Sequence, residues 1–364
     1  MRITELTAHG FRNLSPDPVF FGAGVTLIAG ENAQGKTNLL EAVALACGQR
    51  SFRGARPADM ATDGKSFRVE ATLASGGRAE GLRVEWSEGE GRRFERAGKP
   101  ISFREASAVA PAVFFAPEHR ELIVGAPLLR RRFLDRLALA ARPVAGQDLL
   151  RYERALAERN ALLAHFRNAE PAAGELEAWT EELVGAGAAV RRHRQLALAQ
   201  WWEAFFQIAA EVSPEYADIR VDYLARENSE EELRSVFQRL SRLERRRGHT
   251  LAGPHRDDLV WSRGGRSLSS QASAGEIHRT AALAKLAEWR AVAQATGVRP
   301  LFAIDEFDAG LAAAWVEGLL ATLPQAETVL LTTASEPARY ARRVDHLLEI
   351  RGGRALSRPR AVNA

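Results

Sequence analysis

Short uninterrupted apolar runs recur along the chain, and each is bounded by glycine or polar residues. The clearest examples are Val25–Ala29 and Leu301–Ile304. Runs of this length are typical of strands that are buried on both faces. Similar segments lie at 112–116, 329–333 and 346–350. The pattern predicts an α/β fold with a buried central sheet.

A second pattern, in which apolar and polar residues alternate, occupies three segments in the N-terminal third of the chain. It covers 67–73, 82–86 and 92–96, and glycine-containing turns separate the segments. Alternation with a period of two predicts strands with one buried face, and short glycine turns favour antiparallel neighbours. We therefore expect an antiparallel meander here, preceded by an edge strand at 3–11.

The middle of the chain has a helical pattern. From about 127 to 246 it is rich in Ala, Leu, Arg and Glu, and apolar residues recur every three to four positions. The aromatic pairs Trp201-Trp202 and Phe205-Phe206 fall in this region. We interpret them as helix-packing residues, and base stacking is the alternative.

The C-terminal part returns to alternating helices and strands. Residues 275–295 have a helical pattern, and the tail from Arg351 is rich in glycine and arginine, so we expect the tail to be mobile. No long heptad repeat occurs anywhere, so we expect no long coiled coil.

The composition narrows the class of protein. Of the 364 residues, 46% are hydrophobic and 26% are charged, a balance that excludes disordered and fibrous chains. No apolar run approaches the ~20 residues that cross a bilayer. We see no signal peptide, and we expect a cytoplasmic protein without a membrane partner. The single cysteine, Cys47, excludes an internal disulfide and a CxxC zinc site.

The net charge is small, but the choice of basic residue is unusual. The 50 basic residues exceed the 46 acidic ones by only four, which is weak evidence for a nucleic acid partner. Only four of the basic residues are lysines. The arginine excess fits either compositional bias or contact with phosphates.

One of the four lysines lies in a phosphate-binding motif. Residues 30–37 fit the pattern G-x-x-x-x-G-K-[ST], and they follow the predicted strand 25–29 and open a helical segment. Glycines allow the loop to bring backbone N–H groups onto phosphates, the lysine reaches the β- and γ-phosphates of ATP, and the threonine ligates Mg²⁺. The predicted nucleotide-binding residues are Gly30, Glu31, Asn32, Ala33, Gln34, Gly35, Lys36, Thr37 and Asn38.

A second part of such a site follows the apolar run 301–304. Asp305 ends this strand, where it would hold Mg²⁺ with Thr37, and Glu306 would polarise the attacking water. An acidic helix cap is the alternative. With Lys36, these two acidic residues form the predicted catalytic set. Asp305 lies 268 positions after Thr37, so a large insertion divides one nucleotide fold.

A third motif opens the helical segment 275–295. Ser273 is suited to cap this helix, and Gly275 leaves backbone exposed at its start. The order of P-loop, serine loop and acidic strand resembles that of ABC-type ATPase heads, whose serine loop binds the γ-phosphate held by a second subunit. The resemblance implies a homodimer that closes over two ATP molecules, and a simple helix cap is the alternative.

Within that class, the chain resembles the RecF family of bacterial recombination mediators along nearly its whole length. Phe11–Asn13, Arg130–Asp135 and Gly253–Leu259 are among the segments that carry the resemblance. It implies ATP-dependent dimerisation, weak DNA-stimulated ATP hydrolysis, and binding to single-strand/duplex junctions and gapped DNA. It also implies cooperation with RecR and RecO in loading RecA. On this basis Arg12 and Thr333 join the predicted nucleotide contacts.

Several positions depart from the expected pattern. Glu306 stands where the family usually has a second aspartate, and 309–312 (Ala-Gly-Leu-Ala) replaces a polar, dimer-facing loop. Thr332-Thr333 stands where many ABC proteins have a switch histidine, so we expect a hydroxyl to sense the γ-phosphate. The region expected to take the place of the Q-loop is 113–118, although it contains no glutamine.

These motifs predict a P-loop ABC-type ATPase head with an antiparallel subdomain and an inserted, mainly α-helical lobe. The predicted boundaries are 1–116 and 296–364 for the ATPase lobe and 117–295 for the helical lobe with its serine motif. Alternatives are an SMC-class head, which would need long coiled-coil arms, a nucleotide-locked DNA scaffold, and an ABC transporter subunit.

The DNA-binding surface is expected among arginine clusters of the helical lobe. For each cluster, the alternative is a solvated or salt-bridged helix face. The candidates are Arg130, Arg131, Arg132, Arg191, Arg192, Arg194, Arg245, Arg246 and Arg247.

Overall fold

The computed structural model describes residues 2–75, 77–165, 174–227, 229–309, 313–323 and 327–358. Its strands, in chain order, are β1 (Arg2–His9), β2 (Val19–Phe20), β3 (Gly24–Ala29), β4 (Ser66–Ser75), β5 (Arg78–Ser87), β6 (Gly91–Arg96), β7 (Lys99–Ile101), β8 (Ala112–Phe115), β9 (Ile219–Leu224), β10 (Asp258–Arg263), β11 (Arg266–Ser267), β12 (Leu301–Ile304), β13 (Thr328–Thr333), β14 (His346–Arg351) and β15 (Arg354–Arg358). Its α-helices are α1 (Lys36–Ala46), α2 (Pro57–Met60), α3 (Phe103–Val109), α4 (Glu121–Val124), α5 (Pro127–Ala141), α6 (Ala145–His165), α7 (Glu175–Val212), α8 (Glu230–Arg247), α9 (Leu268–Gln271), α10 (Ala274–Thr296) and α11 (Ala313–Thr322).

The chain folds into two compact units. The first comprises 1–119, 207–217 and 278–364, and the second comprises 120–206 and 218–277. The second unit therefore ends 18 residues before the boundary expected from the helical pattern at 295.

Tertiary packing explains why most of α10 belongs to the first unit. In α10, Trp289 packs on Phe302 of β12 with ring centroids 5.9 Å apart, and its indole Nε1 donates to the Pro300 carbonyl oxygen at 2.9 Å. The end of α7 belongs to this unit as well, because Glu211 pairs with Arg290 at 2.7 Å. A helical pattern cannot distinguish a helix of the inserted lobe from a helix that covers the sheet.

The core of the first unit is a six-stranded sheet in the order β15-β14-β3-β13-β12-β8. The five strands from β14 to β8 are parallel, and β15 is antiparallel. All four residues of β12 and all six of β13 are buried, as the apolar run of β12 and the apolar centre of β13 predict. The carboxyl ends of β3, β13, β12 and β8 consequently meet at one edge, which is where such sheets bind ligands.

A second, antiparallel sheet has the order β2-β1-β4-β5-β6-β7. Its strands β4, β5 and β6 confirm the predicted meander. The strand expected at 3–11 ends at His9, and the expectation that it lies at an edge is wrong because β2 pairs with its other side. The two residues of β2 are too few to give a recognisable alternating pattern.

The second unit combines helices with the three-stranded sheet β11-β10-β9. Trp201 and Phe205 of α7 are buried and pack on Trp261 of β10, with centroids 5.7 Å and 6.2 Å away. This confirms helix packing for these two residues, whereas Phe206 is 49% exposed. Among the described helices, none is both long and apolar enough to span a membrane.

Candidate functional site

The loop between β3 and α1 is shaped by close backbone approaches. A Cβ atom at Gly30 would lie 2.5 Å from the carbonyl oxygen of Ile350, which leaves no room for a side chain. Gly35 precedes α1 in the left-handed region (φ 115°) and Ala33 is also left-handed (φ 63°). The loop therefore turns sharply at the N-terminus of a helix, the arrangement that binds phosphate through backbone N–H groups and the helix dipole.

Lys36 is buried at the start of α1, with 6% of its surface exposed. Its Nζ donates to the carbonyl oxygens of Gly30 at 2.7 Å and Glu31 at 2.8 Å. Burial lowers the pKa of Lys36, and the negative charges of Asp305, Glu306 and Asp308 oppose that shift. The ammonium is thus held by neutral carbonyls within a field of carboxylates.

The edge of the sheet brings together hydroxyls and a carboxylate from three strands and a helix. Thr37 Oγ1 donates to Asp305 Oδ2 at 2.8 Å, and Thr332 Oγ1 donates to Asp305 Oδ1 at 2.6 Å. The Asp305 backbone N–H donates to the Phe115 carbonyl oxygen at 2.8 Å. Asp305 is only 3% exposed, so this geometry joins the P-loop to the acidic strand across the large insertion.

Glu306 follows Asp305 in a strained backbone conformation. Its φ is 50°, in the left-handed region that non-glycine residues adopt at an energetic cost. Its backbone N–H donates to Thr332 Oγ1 at 2.8 Å, which helps to hold that conformation. Partial burial, followed by the charges of Asp305, Glu118 and Asp308, raises the pKa of Glu306, while Lys36 opposes the rise. A basic, outward-facing carboxylate therefore lies beside Asp305.

Thr333 and Asp308 form a linked pair next to this carboxylate. Thr333 Oγ1 donates to Asp308 at 2.8 Å, and the Ser335 backbone N–H donates to Thr333 Oγ1 at 2.9 Å. Tyr340 donates its hydroxyl to Asp308 at 2.9 Å; burial and then Asp308 raise the pKa of Tyr340 to about 12. In the loop 309–312, which departs from the family's pattern, residues 310–312 lie outside the part of the chain that the structure describes.

Arg12 binds the helix that follows the loop 30–37. Its guanidinium forms a bidentate pair with buried Glu41 of α1, at 2.9 Å and 3.2 Å, and also donates to the Asp59 carbonyl oxygen at 2.9 Å. The neighbouring Asn13, which was not predicted, accepts a hydrogen bond from Asn38 at 2.7 Å. The guanidinium of Arg12 is therefore committed to protein groups, and a direct nucleotide contact by this residue stays a prediction.

The turn between β14 and β15 is a part of the site that sequence reasoning missed. Gly353 N–H donates to the Gln34 carbonyl oxygen at 2.8 Å, and Gly352 N–H donates to the Gln34 side-chain oxygen at 2.6 Å. A Cβ at Gly353 would lie 1.7 Å from the Asn13 carbonyl oxygen. The tail expected to be mobile from Arg351 instead forms β15 as far as Arg358. Two glycines between apolar runs were the available signal, since Gly-Gly favours a tight hairpin turn.

The serine motif lies in the second unit, at the start of α10. Ser273 Oγ accepts from the Glu276 backbone N–H at 3.2 Å, which confirms that Ser273 caps the helix. Arg263 at the end of β10 pairs with Glu276 at 2.9 Å. A Cβ at Gly275 would meet no atom within 4 Å among the described residues. The helix N-terminus is thus fixed by its own cap, and in its first turn Ala274 is exposed, Gly275 is half-buried and Glu276 is buried.

Three of the nine arginines proposed for DNA are buried in ion pairs of the second unit. Arg130 pairs with Asp258 at 2.6 Å and Arg194 pairs with Asp135 at 2.7 Å. Arg191, 6% exposed, binds Asp257 through two bonds of 3.0 Å and 2.7 Å. These buried guanidinium groups are not available to phosphate, because carboxylates of the protein already accept their hydrogen bonds.

The remaining candidates differ in accessibility. Arg131 is half-buried and donates to the Asp257 carbonyl oxygen at 2.9 Å, and Arg245 is also half-buried. Sequence reasoning missed this division because it depends on which acidic residues fold against each helix. The exposed candidates are Arg132, Arg192, Arg246 and Arg247.

The fold is similar to the folds of proteins whose class is known. Residues 5–130 match the family model described as an AAA domain. The Smc head domain of Pyrococcus furiosus aligns with a TM-score of 0.57 at 17% identity, covering 98% of this chain and 96% of that one, a likeness of fold alone. The fold is that of an ABC-type P-loop ATPase head.

Relatives that match over most of the chain identify the family within this class. The DNA replication and repair protein RecF of Deinococcus deserti is 34% identical over 370 residues, covering 100% of this chain and 98% of the relative. RecF of Chloroherpeton thalassium is 34% identical over 323 residues, covering 84% and 87%. A solved structure of the recombination mediator RecF with ATP aligns with a TM-score of 0.88 at 26% identity, covering 98% and 97%. The chain belongs to the RecF family.

Proposed function

We propose that this protein is an ATP-dependent DNA clamp of recombinational repair. It dimerises on binding ATP, binds single-strand/duplex junctions at gaps, and promotes RecA loading with RecR and RecO, and hydrolysis reopens the dimer. The observation that carries the proposal is the hydrogen bond from Thr37 to Asp305, which assembles a P-loop and an acidic strand 268 positions apart. The solved RecF–ATP complex of the RecFOR pathway supports the nucleotide and the pathway.

The phosphates of ATP bind at the loop 30–37. Backbone N–H groups and the positive end of α1 face them, and the Lys36 ammonium exchanges its two carbonyl partners for β- and γ-phosphate oxygens. Such an exchange is favourable, because an anionic phosphate oxygen attracts the ammonium by a direct Coulomb interaction that a neutral carbonyl does not supply. The low-dielectric surroundings of buried Lys36 strengthen the attraction further.

Mg²⁺ fits the oxygens of Thr37 and Asp305. A hydroxyl and a carboxylate are hard ligands, and Mg²⁺ is usually held by one or two carboxylates together with substrate phosphates and water. The hydrogen bond between the two side chains supports this assignment, because it brings both oxygens to one place. When bound, the ion neutralises charge that develops on the β- and γ-phosphate oxygens.

Glu306 is proposed as the base that orients the attacking water and accepts its proton. Its raised pKa makes the carboxylate more basic than a free glutamate, which suits proton transfer near neutral pH. The hydrogen bond from the Glu306 backbone N–H to Thr332 Oγ1 holds the backbone from which this side chain extends. The proposed reaction is weak, DNA-stimulated hydrolysis of ATP.

Ser273 is proposed to complete the γ-phosphate site of a partner subunit. The start of α10 offers a serine hydroxyl and backbone N–H groups that its own chain leaves uncovered at Gly275. ATP would then join two protomers, and each dimer would hold two nucleotides. Exposed arginines such as Arg132 and Arg192 are the proposed DNA contacts among the original candidates.

The experiment that tests this function is the mass of the protein in solution, measured by light scattering with no nucleotide, with ADP and with ATP. We expect a dimer only with ATP, and a larger complex when gapped DNA is added. Lys36→Met should abolish both, whereas Lys65→Met, which removes an exposed lysine, should change neither. Ser273→Arg should bind ATP normally and stay monomeric.

Two results would contradict the proposal. If Lys36→Met bound ATP with normal affinity, the loop would not be the nucleotide site. If Ser273→Arg still dimerised with ATP, the serine motif would not act across the dimer. A non-hydrolysable ATP analogue that supports DNA binding but not release would separate a hydrolysing clamp from a nucleotide-locked scaffold.

A further inference from the structure

Helix α8 carries two sets of charges that helix electrostatics explain. Glu230, Glu231 and Glu232 occupy its first turn, and 245–247, all arginine, occupy its last turn. Negative charge at the N-terminus and positive charge at the C-terminus both stabilise the helix dipole, and this effect falls off within one turn. The end residues therefore have a structural role whatever their other contacts.

The arginine in the first half of α8 is neutralised. Arg234 pairs with Glu181 at 2.9 Å and with Glu230 at 3.2 Å. These carboxylates keep its guanidinium within the protein's own ion pairs. Arg234 is therefore an example of an arginine on this helix whose charge is balanced by carboxylates of the protein.

The arginines of the second half are different. Arg239, Arg242 and Arg246 are all exposed, and none forms an ion pair with any residue that the structure describes. Their spacing of three and four residues places them on one face of the helix. The buried residues Leu233 and Phe237 lie on the opposite face. Arg239 and Arg242 also lie before the last turn, so the helix dipole does not account for them.

We propose that Arg239, Arg242 and Arg246 form a basic stripe that binds the phosphate backbone of duplex DNA. Arg246 lies seven residues after Arg239, about 10 Å along the helix at 1.5 Å per residue, which corresponds to about three phosphates at 3.4 Å per strand. The fixed fork of a guanidinium is suited to phosphate oxygens. This inference rests on the DNA-binding function proposed above and names a surface for it.

The rest of the exposed face favours duplex DNA over two other anionic partners. The exposed residues next to the stripe, Ser235 and Gln238, are polar, and the exposed acidic residues Glu231 and Glu232 lie in the first turn, before the stripe begins. A helix that binds membranes needs large apolar side chains next to its basic residues. A surface that binds single strands usually offers aromatic rings for base stacking, and this face has none among Ser235–Arg246 that is exposed.

The test compares two triple variants of the full chain that lose the same charge. One carries Arg239→Ser, Arg242→Ser and Arg246→Ser. The control carries Arg78→Ser, Arg104→Ser and Arg342→Ser, which are exposed arginines of the first unit without ion pairs in the described structure. Affinity for a fluorescent duplex is measured with ATP at several salt concentrations, and ATP hydrolysis is measured without DNA.

We expect the stripe variant to lose affinity roughly 10²-fold at 0.1 M salt, and its log–log salt slope to fall by about 2.7, since each phosphate contact contributes about 0.9. Hydrolysis without DNA should match that of the parent, and the unfolding midpoint should fall only slightly, because Arg246 is one of three arginines in the last turn of α8. The control should keep the parent's slope.

An unchanged slope in the stripe variant overturns the stripe while leaving the DNA-clamp function intact. An equal loss in the control overturns it as well, because net charge would then explain both. Loss of single-strand affinity with normal duplex affinity would reject duplex backbone as the partner. If the parent protein binds no DNA at all, the proposed function fails and the stripe fails with it.

Discussion

The cation buried beside the phosphate-binding loop of the first unit and the cations buried in the arginine cluster of the second unit have different kinds of partner. In the first unit, the Lys36 ammonium is held by the carbonyl oxygens of Gly30 and Glu31. In the second, Arg191 binds the carboxylates of Asp257 and Glu227, and Arg194 binds Asp135. Lys36 is therefore held by carbonyl dipoles, whereas Arg191 and Arg194 are held by negatively charged carboxylates.

The difference determines what each cation can do. Burial alone would lower the pKa of Arg191, but bonds to Asp257 and then Glu227 raise it instead, so Arg191 keeps its charge within these ion pairs. Burial lowers the pKa of Lys36, and although the charges of Asp305, Glu306 and Asp308 oppose the shift, Lys36 forms no ion pair with a carboxylate among the residues that the structure describes. A buried cation that is bound only by carbonyls can accept an arriving phosphate, whereas a buried cation with its own carboxylates stabilises the fold.

The largest expected effect concerns catalysis in the first unit. Glu306→Gln should lower the ATP turnover number by about 10² to 10⁴-fold, because a general base contributes that much. ATP affinity should be kept, so the variant should accumulate as the ATP-bound dimer. Turnover by phosphate release and binding by calorimetry measure the two parts. Glu317→Gln, at an exposed ion pair, is the control, and undiminished turnover of the Glu306 variant would remove this residue from catalysis.

The next effect concerns stability in the second unit. Arg191→Met should lower the free energy of unfolding by about 3–5 kcal/mol, because Asp257 and Glu227 would stay buried without their cation. The exposed neighbour Arg192→Met should change it by no more than about 0.5 kcal/mol. Chemical denaturation measures both. Equal, small losses in the two variants would show that the buried network is not structural.

The smallest effect compares two adjacent glycines at the P-loop. Gly353→Ala should cost about 1–3 kcal/mol and weaken ATP binding, since its φ is 81° and its Cβ would overlap the Asn13 carbonyl. Gly352→Ala has a similar backbone (φ 54°) but open space around the Cβ, so it should keep ATP affinity. Calorimetric titration with ATP distinguishes them. Equal affinity in both variants would mean that the turn does not position the P-loop.

Sequence patterns predicted most of the elements that surround the candidate site. The P-loop follows β3, Asp305 ends β12, and Ser273 caps α10, because each of these features depends on residues within one or two turns of chain. The antiparallel meander was recognisable for the same reason, since alternation and turn glycines are local signals.

The sequence by itself determined the phosphate loop, the acidic strand and the family to which the chain belongs. Only the tertiary structure decided that Gly353 braces Gln34, that Arg12 binds Glu41, and which arginines are closed into ion pairs. The physical reason is that a hydrogen bond or ion pair joins residues far apart in the chain, such as Arg191 and Asp257, 66 positions apart. Local periodicity specifies how a segment folds, whereas the partner of a buried charge is fixed only when distant segments pack together.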